Sequence, residues 1–114
     1  MITTDEKLIE AGFNKFDRYS LQNDSIMYNF QKCYRDEDGN KLFFIDVAKW
    51  DWSWARDKVP EDYEYEITTQ LYTKGNHEAV NLEFGSHISV EEAEKFIFTM
   101  FDAGLVEPYE RLYE

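Results

Sequence analysis

One cysteine and two histidines limit the nucleophilic chemistry open to this chain. A thiol becomes an effective nucleophile when a neighbouring base takes its proton, so Cys33 would need His77 or His87 beside it. The gaps from Cys33 to His77 and from His77 to His87 match no thiol-enzyme signature, nor the ligand spacing of a structural zinc site. No nucleophile elbow and no glycine-rich phosphate loop occurs. Carboxylates are abundant, and a glycosidase would need two of them facing each other across a cleft. Glu64 and Glu66 stand about 7 Å apart along an extended chain, which is what alternation produces on any solvated strand face. Asp36-Glu37-Asp38-Gly39-Asn40 opens like a calcium loop but lacks the later oxygen ligands and the closing glutamate. A hairpin turn explains it better, because Asp-Gly and Gly-Asn tolerate the positive φ of tight turns. No catalytic residue, metal or cofactor is therefore expected. A small hydrolase or thiol enzyme pairing Cys33 with a histidine stands as the alternative from another class.

Binding chemistry is better represented. Tryptophan recurs at every second position in Trp50-Asp51-Trp52-Ser53-Trp54. Extended backbone repeats its side-chain direction every two residues, so Trp50, Trp52 and Trp54 would share one face. Such a face either covers a core or supplies the aromatic anchors of an interface. Asp57, Glu61, Asp62, Glu64, Glu66 and Glu83 fall on or beside neighbouring strands, and an array of this kind could imitate a phosphate backbone to a basic site. Twelve basic against twenty-four acidic residues leave a formal charge of −12. That field repels nucleic acid and anionic lipid, so neither is an expected partner. It attracts a protein with a basic surface. A homodimer through the tryptophan face would satisfy both readings of the indoles, and a structural homo-oligomer is a further alternative.

These groups need elements to position them. Thr3 and Glu6 have capping-box spacing, which predicts a short helix in the first ten residues ending near Gly12. An irregular stretch with Phe13, Phe16 and Tyr19 is expected to pack under the domain. From Ser25 the period becomes two: Ile26, Tyr28 and Phe30 share one face, and Asn29, Gln31 and Arg35 the other. The Asp36–Asn40 turn then predicts a hairpin into a strand from Lys41 to Val47. Its run Leu42-Phe43-Phe44-Ile45 suits a central position covered on both sides for part of its length. Tyr63, Tyr65, Ile67, Thr69 and Leu71 alternate with Glu64, Glu66, Thr68 and Gln70 in a third strand. A turn at Thr73–Asn76 leads into a fourth strand carrying Val80, Leu82 and Phe84. Ser89 with Glu92 forms a capping box for a C-terminal helix, with Ala93, Phe96, Ile97, Met100 and Phe101 as its apolar stripe and Gly104 as its stop. The expected fold is a single α+β domain over 1–114. It has two layers: a four-stranded antiparallel meander with the C-terminal helix on one face, and a short N-terminal helix.

At 114 residues, 43% hydrophobic and 18% aromatic, the chain has apolar surface enough for one core. A lone cysteine and an acidic N-terminus without an apolar run predict a cytoplasmic protein. The run from Phe30 to Ile45, through Tyr34-Arg35-Asp36-Glu37-Asp38-Gly39-Asn40, resembles a segment of small bacteriophage and prophage proteins. Leu82-Glu83-Phe84 and the capped C-terminal helix are similar there too. That group has no assigned activity, so the resemblance transfers no active residue. It implies a context, since small proteins of mobile elements often bind host or rival machinery. The sequence therefore points to a non-enzymatic interaction protein, in its sharpest form an acidic inhibitor or nucleic-acid mimic.

Overall fold

The computed structural model describes residues 3–17, 26–50, 64–76 and 78–110. Each helix starts and ends on a local signal. Thr4, in extended backbone, accepts a hydrogen bond from the Lys7 amide and caps α1 (Asp5–Glu10). The cap thus falls one residue after Thr3, whose side chain is buried instead. At the other end Gly12 takes φ 93°, its amide bonds Ile9 O, and the Phe13 amide bonds Leu8 O. This reciprocal closure places Phe13 next to Leu8 in the core. α2 (Val90–Asp102) opens on the predicted box, Ser89 accepting from Glu92 N while Glu92 accepts from Ser89 N. It closes like α1, with Gly104 bonded to Phe101 O and Leu105 to Met100 O.

The strands are β1 (Asn14–Asp17), β2 (Ile26–Arg35), β3 (Lys41–Trp50), β4 (Tyr65–Thr73), β5 (Ala79–Gly85) and β6 (Val106–Glu107). The first five pair antiparallel in chain order, a meander, and β6 pairs with β4. The sequence predicts four strands, and the described residues form six. β1 escapes because Asn-Lys-Phe-Asp holds one apolar side chain and so has no alternation to read; Phe16 is 40% exposed there. Tyr19 lies outside the described residues. β6 is two residues long. Tyr72 pairs with Ala79 on one edge and Glu107 on the other, so β6 takes the edge of β4 that β3 leaves after Ile45–Thr69. Where the β3–β4 ladder stops, the buried Thr69 hydroxyl donates to Phe44 O at 2.5 Å and satisfies the acceptor left there. A bulge between Ile26 and Tyr28 also breaks the period expected at the start of β2, pairing Ile26 with Trp50.

Alternation decides which face is buried. Phe30, Phe43, Ile45, Val47, Ile67 and Leu71 are all at most 2% exposed, and cross-strand pairing puts Phe30 beside Val47 and Val47 beside Ile67. Leu8 and Phe13 at the α1 end, and Val90, Ala93 and Ile97 of α2, join them in one cluster. Both helices therefore cover the same sheet face, which gives the two-layer α+β architecture. Phe96 departs from the predicted stripe. It lies about 90° around the helix from the centre of the buried side and is 51% exposed, resting on Phe84 at 5.8 Å. Phe98 flanks the other side against Phe43 at 5.3 Å. No helix is long and apolar enough to cross a membrane among the described residues.

A helix of six residues is not stable alone, so docking must hold α1. Asp5 supplies much of that hold. Its two carboxylate oxygens accept from Tyr28 Oη at 2.6 Å and Tyr65 Oη at 2.5 Å, while Lys32 Nζ donates to Ala11 O at 2.6 Å. Burial acts to raise the Asp5 carboxyl, but the two hydroxyls and the charges of Lys49 and Lys15 outweigh it and hold the group below its ordinary value. Burial and the Asp5 bond push the Tyr28 hydroxyl up to about 12, and Tyr65 rises for the same reasons. Because the folded carboxyl is depressed, its contribution is present above the usual aspartate range and is lost as pH falls through the folded value. Replacing both tyrosines by phenylalanine should destabilise the fold by about 2–4 kcal/mol at pH 7. It should also move the Asp5 carboxyl titration, followed by NMR, to higher pH. An unshifted titration in the double variant would refute this account of how α1 is held.

Candidate functional site

The sheet face away from the helices carries the residues of opposite parity. One row crosses it through paired positions: Gln31, Asp46, Thr68 and Glu83 on β2, β3, β4 and β5. The next row holds Asn29, Ala48 and Glu66. Asp46 and Glu83 are thus each diagonal to Glu66, with Cα separations of about 7–8 Å. Glu83 is exposed, whereas Asp46 and Glu66 are half-buried. Gln31 Nε2 donates to Asp46 Oδ1 at 3.0 Å. Burial nevertheless pushes the Asp46 carboxyl above its ordinary value, because a single amide donor offsets only part of the lost hydration.

An aromatic cluster borders these acids. The Tyr109 ring meets Phe44 edge-on at 5.4 Å and Tyr72 at 5.9 Å. Phe44 and Tyr72 reach the helix-free face by alternation in β3 and β4, and Tyr109 arrives there because β6 pairs beside them. The second-side cover expected for Phe44 is therefore a tyrosine from the chain's last third, not a helix. The face combines flat, half-exposed rings with carboxylates.

The structure places the predicted site residues unevenly. Trp50 ends β3 and is half-buried; alternation sets it on the helix-free face with Ala48, and its amide donates to Glu64 O at 2.8 Å. Trp52, Trp54, Asp57, Glu61 and Asp62 lie outside the described residues. Glu66 and Glu83 lie on adjacent strands and come together on the helix-free face. Glu64 leaves that array. Its Oε2 pairs with Lys49 Nζ at 2.5 Å, and Lys49 sits on the helix side, 4.3 Å above the Tyr65 ring. Glu64 precedes the first residue of β4, and the β3–β4 register sets it beside Lys49, whose ammonium draws its carboxylate to the helix side.

The enzyme alternative loses one of its two partners for Cys33. Cys33 is on β2, and exposed His87 follows β5, with β3 and β4 between them, a separation of about 14 Å across the sheet. His77 lies outside the described residues. The acidic turn is also accounted for. Asp36 Oδ1 accepts from the amides of Asp38 and Asn40, each at 2.9 Å, and Oδ2 accepts from Asn40 Nδ2 at 3.0 Å. Its carboxylate braces the hairpin, and Gly39 supplies the positive φ of 85°.

Sequence reasoning passed over Asp46, Phe44, Tyr72 and Tyr109 as site residues. Asp46 had a signal, being the one acid within Lys41–Trp50 and opposite in parity to Phe43, Ile45 and Val47. The meeting of Tyr109 with Phe44 had none, since it depends on the register of a two-residue strand. Because the Asp46 carboxyl is raised, its ionisation works against the fold as pH rises through the folded value. Asp46→Asn keeps an acceptor for Gln31 and removes that charge. We expect it to raise the melting temperature at pH 7, with the gain fading towards pH ~3, where the carboxyl is protonated in folded and unfolded chains alike. A gain equal at both pH values would show that desolvated charge is not its source.

Comparison with protein-family models, with curated proteins and with solved structures finds no match to this chain.

Proposed function

We propose that this chain is a non-enzymatic, cytoplasmic protein-interaction module whose helix-free sheet face binds a protein with a basic surface. The observation that carries the reading is the one-sidedness of the sheet among the described residues. Both helices and the buried cluster lie on one face, while the other presents half-exposed Phe44, Tyr72 and Tyr109 beside Asp46, Glu66 and Glu83. Rings of this kind supply contact area at small entropic cost, and the acids select a cationic counterpart and speed its approach. The formal charge of −12 on every copy opposes self-association and favours an oppositely charged companion. The likeness of Phe30–Ile45 to phage and prophage segments suggests the setting, an inhibitor of a host or rival protein.

A double variant, Glu66→Lys with Tyr72→Ala, tests the surface without touching the buried cluster. A partner taken from a bacterial lysate should be basic, should release with salt, and should bind the folded variant about tenfold or more weakly. A partner held equally by both proteins, or an acidic one insensitive to salt, would assign binding elsewhere.

A further inference from the structure

The outer edge of β5 is a second surface, built from main-chain groups and distinct from the rings of the helix-free face. Among the described residues β5 pairs only with β4. The direction of its amides follows from the turn that precedes it. Thr73 N donates to Glu78 O at 2.9 Å, so Glu78 faces β4, and alternation turns Val80 and Leu82 the same way. The N–H and C=O groups of Ala79, Asn81 and Glu83 therefore point outward, and all three residues are exposed. The regular pairing runs from Ala79 to Glu83, before the irregularity at Glu83–Gly85, and a row of unpaired main-chain groups there is a template for one more strand.

What flanks that row selects the occupant. On the helix side stand Val80, 39% exposed, and Phe96, 51% exposed, with Phe84 against Phe96 at 5.8 Å. Exposed apolar side chains thus stand along the helix side of β5, an apolar shelf that α2 joins through Phe96. On the other side stand Asn81 and Glu83, with Glu66 one diagonal further in. Residues of an added strand share a face with those directly opposite them. Side chains opposite Val80 and Leu82 would meet the shelf, and those opposite Asn81 and Glu83 would meet carboxylate. A second copy of this chain is the poorer fit, since each copy brings a charge of −12 and another Glu83. The far edge of the sheet is less suited: β1 is four residues long and carries Lys15, a residue that discourages pairing.

We infer that β5 binds an extended segment of a basic protein, in which apolar and cationic residues alternate, as an added strand. This rests on the interaction-module reading for the existence of a basic partner, but on other atoms. The probe is a blocked heptapeptide of alternating lysine and valine, with a glutamate–valine peptide as control, and the readout is residue-resolved amide exchange of the whole chain. The lysine peptide should slow exchange at Ala79, Asn81 and Glu83 and leave Val80 and Leu82 little changed, and the control should not bind. Asn81→Pro removes one outward donor and should weaken binding about tenfold. Where that substitution unfolds β5, Phe96→Lys carries the test and should weaken binding about tenfold by placing a like charge on the shelf. Phe44→Ala with Tyr109→Ala, which alters the sheet face away from β5, should leave slowed exchange at the three outward amides, and this separates failure of the edge from failure of the sheet face. Lysine-peptide binding without protection of those amides would overturn the inference. So would equal binding by Phe96→Lys, no binding at all, or a dimer of the chain alone that Asn81→Pro dissociates.

Discussion

Among the described residues, everything depends on burying one sheet face under α1 and α2. Phe30, Ile45, Val47 and Ile67 are wholly removed from water because Leu8, Phe13, Ala93 and Ile97 come down on them from the same side. Fully burying each such side chain is worth about 1.5–3 kcal/mol, far more than any surface ion pair here. Strand registers follow from this, since a slip by one residue would send every one of those side chains to the wrong side. The polar groups beneath the helices conform to it as well. Asp5 reaches in only because Tyr28 and Tyr65 meet both of its oxygens, and Tyr34 Oη donates to Glu94 at 2.8 Å.

The same constraint shapes the surface. Once the apolar half of each strand is committed inward, the other half is free to hold groups that contribute little to folding. Asp46 is the sharpest instance, a carboxylate kept where burial disfavours its charge and one amide answers it. Glu66 and Glu83 add to the negative field without facing a described cation. Rings from β3, β4 and the segment after β6 lie beside them.

The parts of this structure legible in the sequence are those fixed by neighbours along the chain. The Ser89–Glu92 box, the Gly104 stop, the Asp36–Asn40 hairpin and the two-residue period of β4 are each settled within a few residues, and each forms as predicted. The parity of Glu66 and Glu83 was legible for the same reason. What escaped depends on distance. Asp5 finds partners 23 and 60 residues away, Glu64 turns to Lys49 through the β3–β4 register, and Tyr109 reaches Phe44 through β6. Phe96 fell outside the buried stripe because periodicity marks which residues are apolar and not how wide a stripe the sheet can cover. β1 had too few apolar side chains to leave a pattern.

The branch at Thr69 bears on how the chain assembles. β3 leaves the edge of β4 there and β6 takes it up, with the Thr69–Phe44 bond at the junction between them. The two pairs of β6 close a loop of more than thirty residues through β5 and α2, an entropic cost that two ladder positions repay only late. The segment around Val106 therefore acts as a latch on a finished sheet. During synthesis the ring cluster at Tyr109 would be completed last, after the meander is in place.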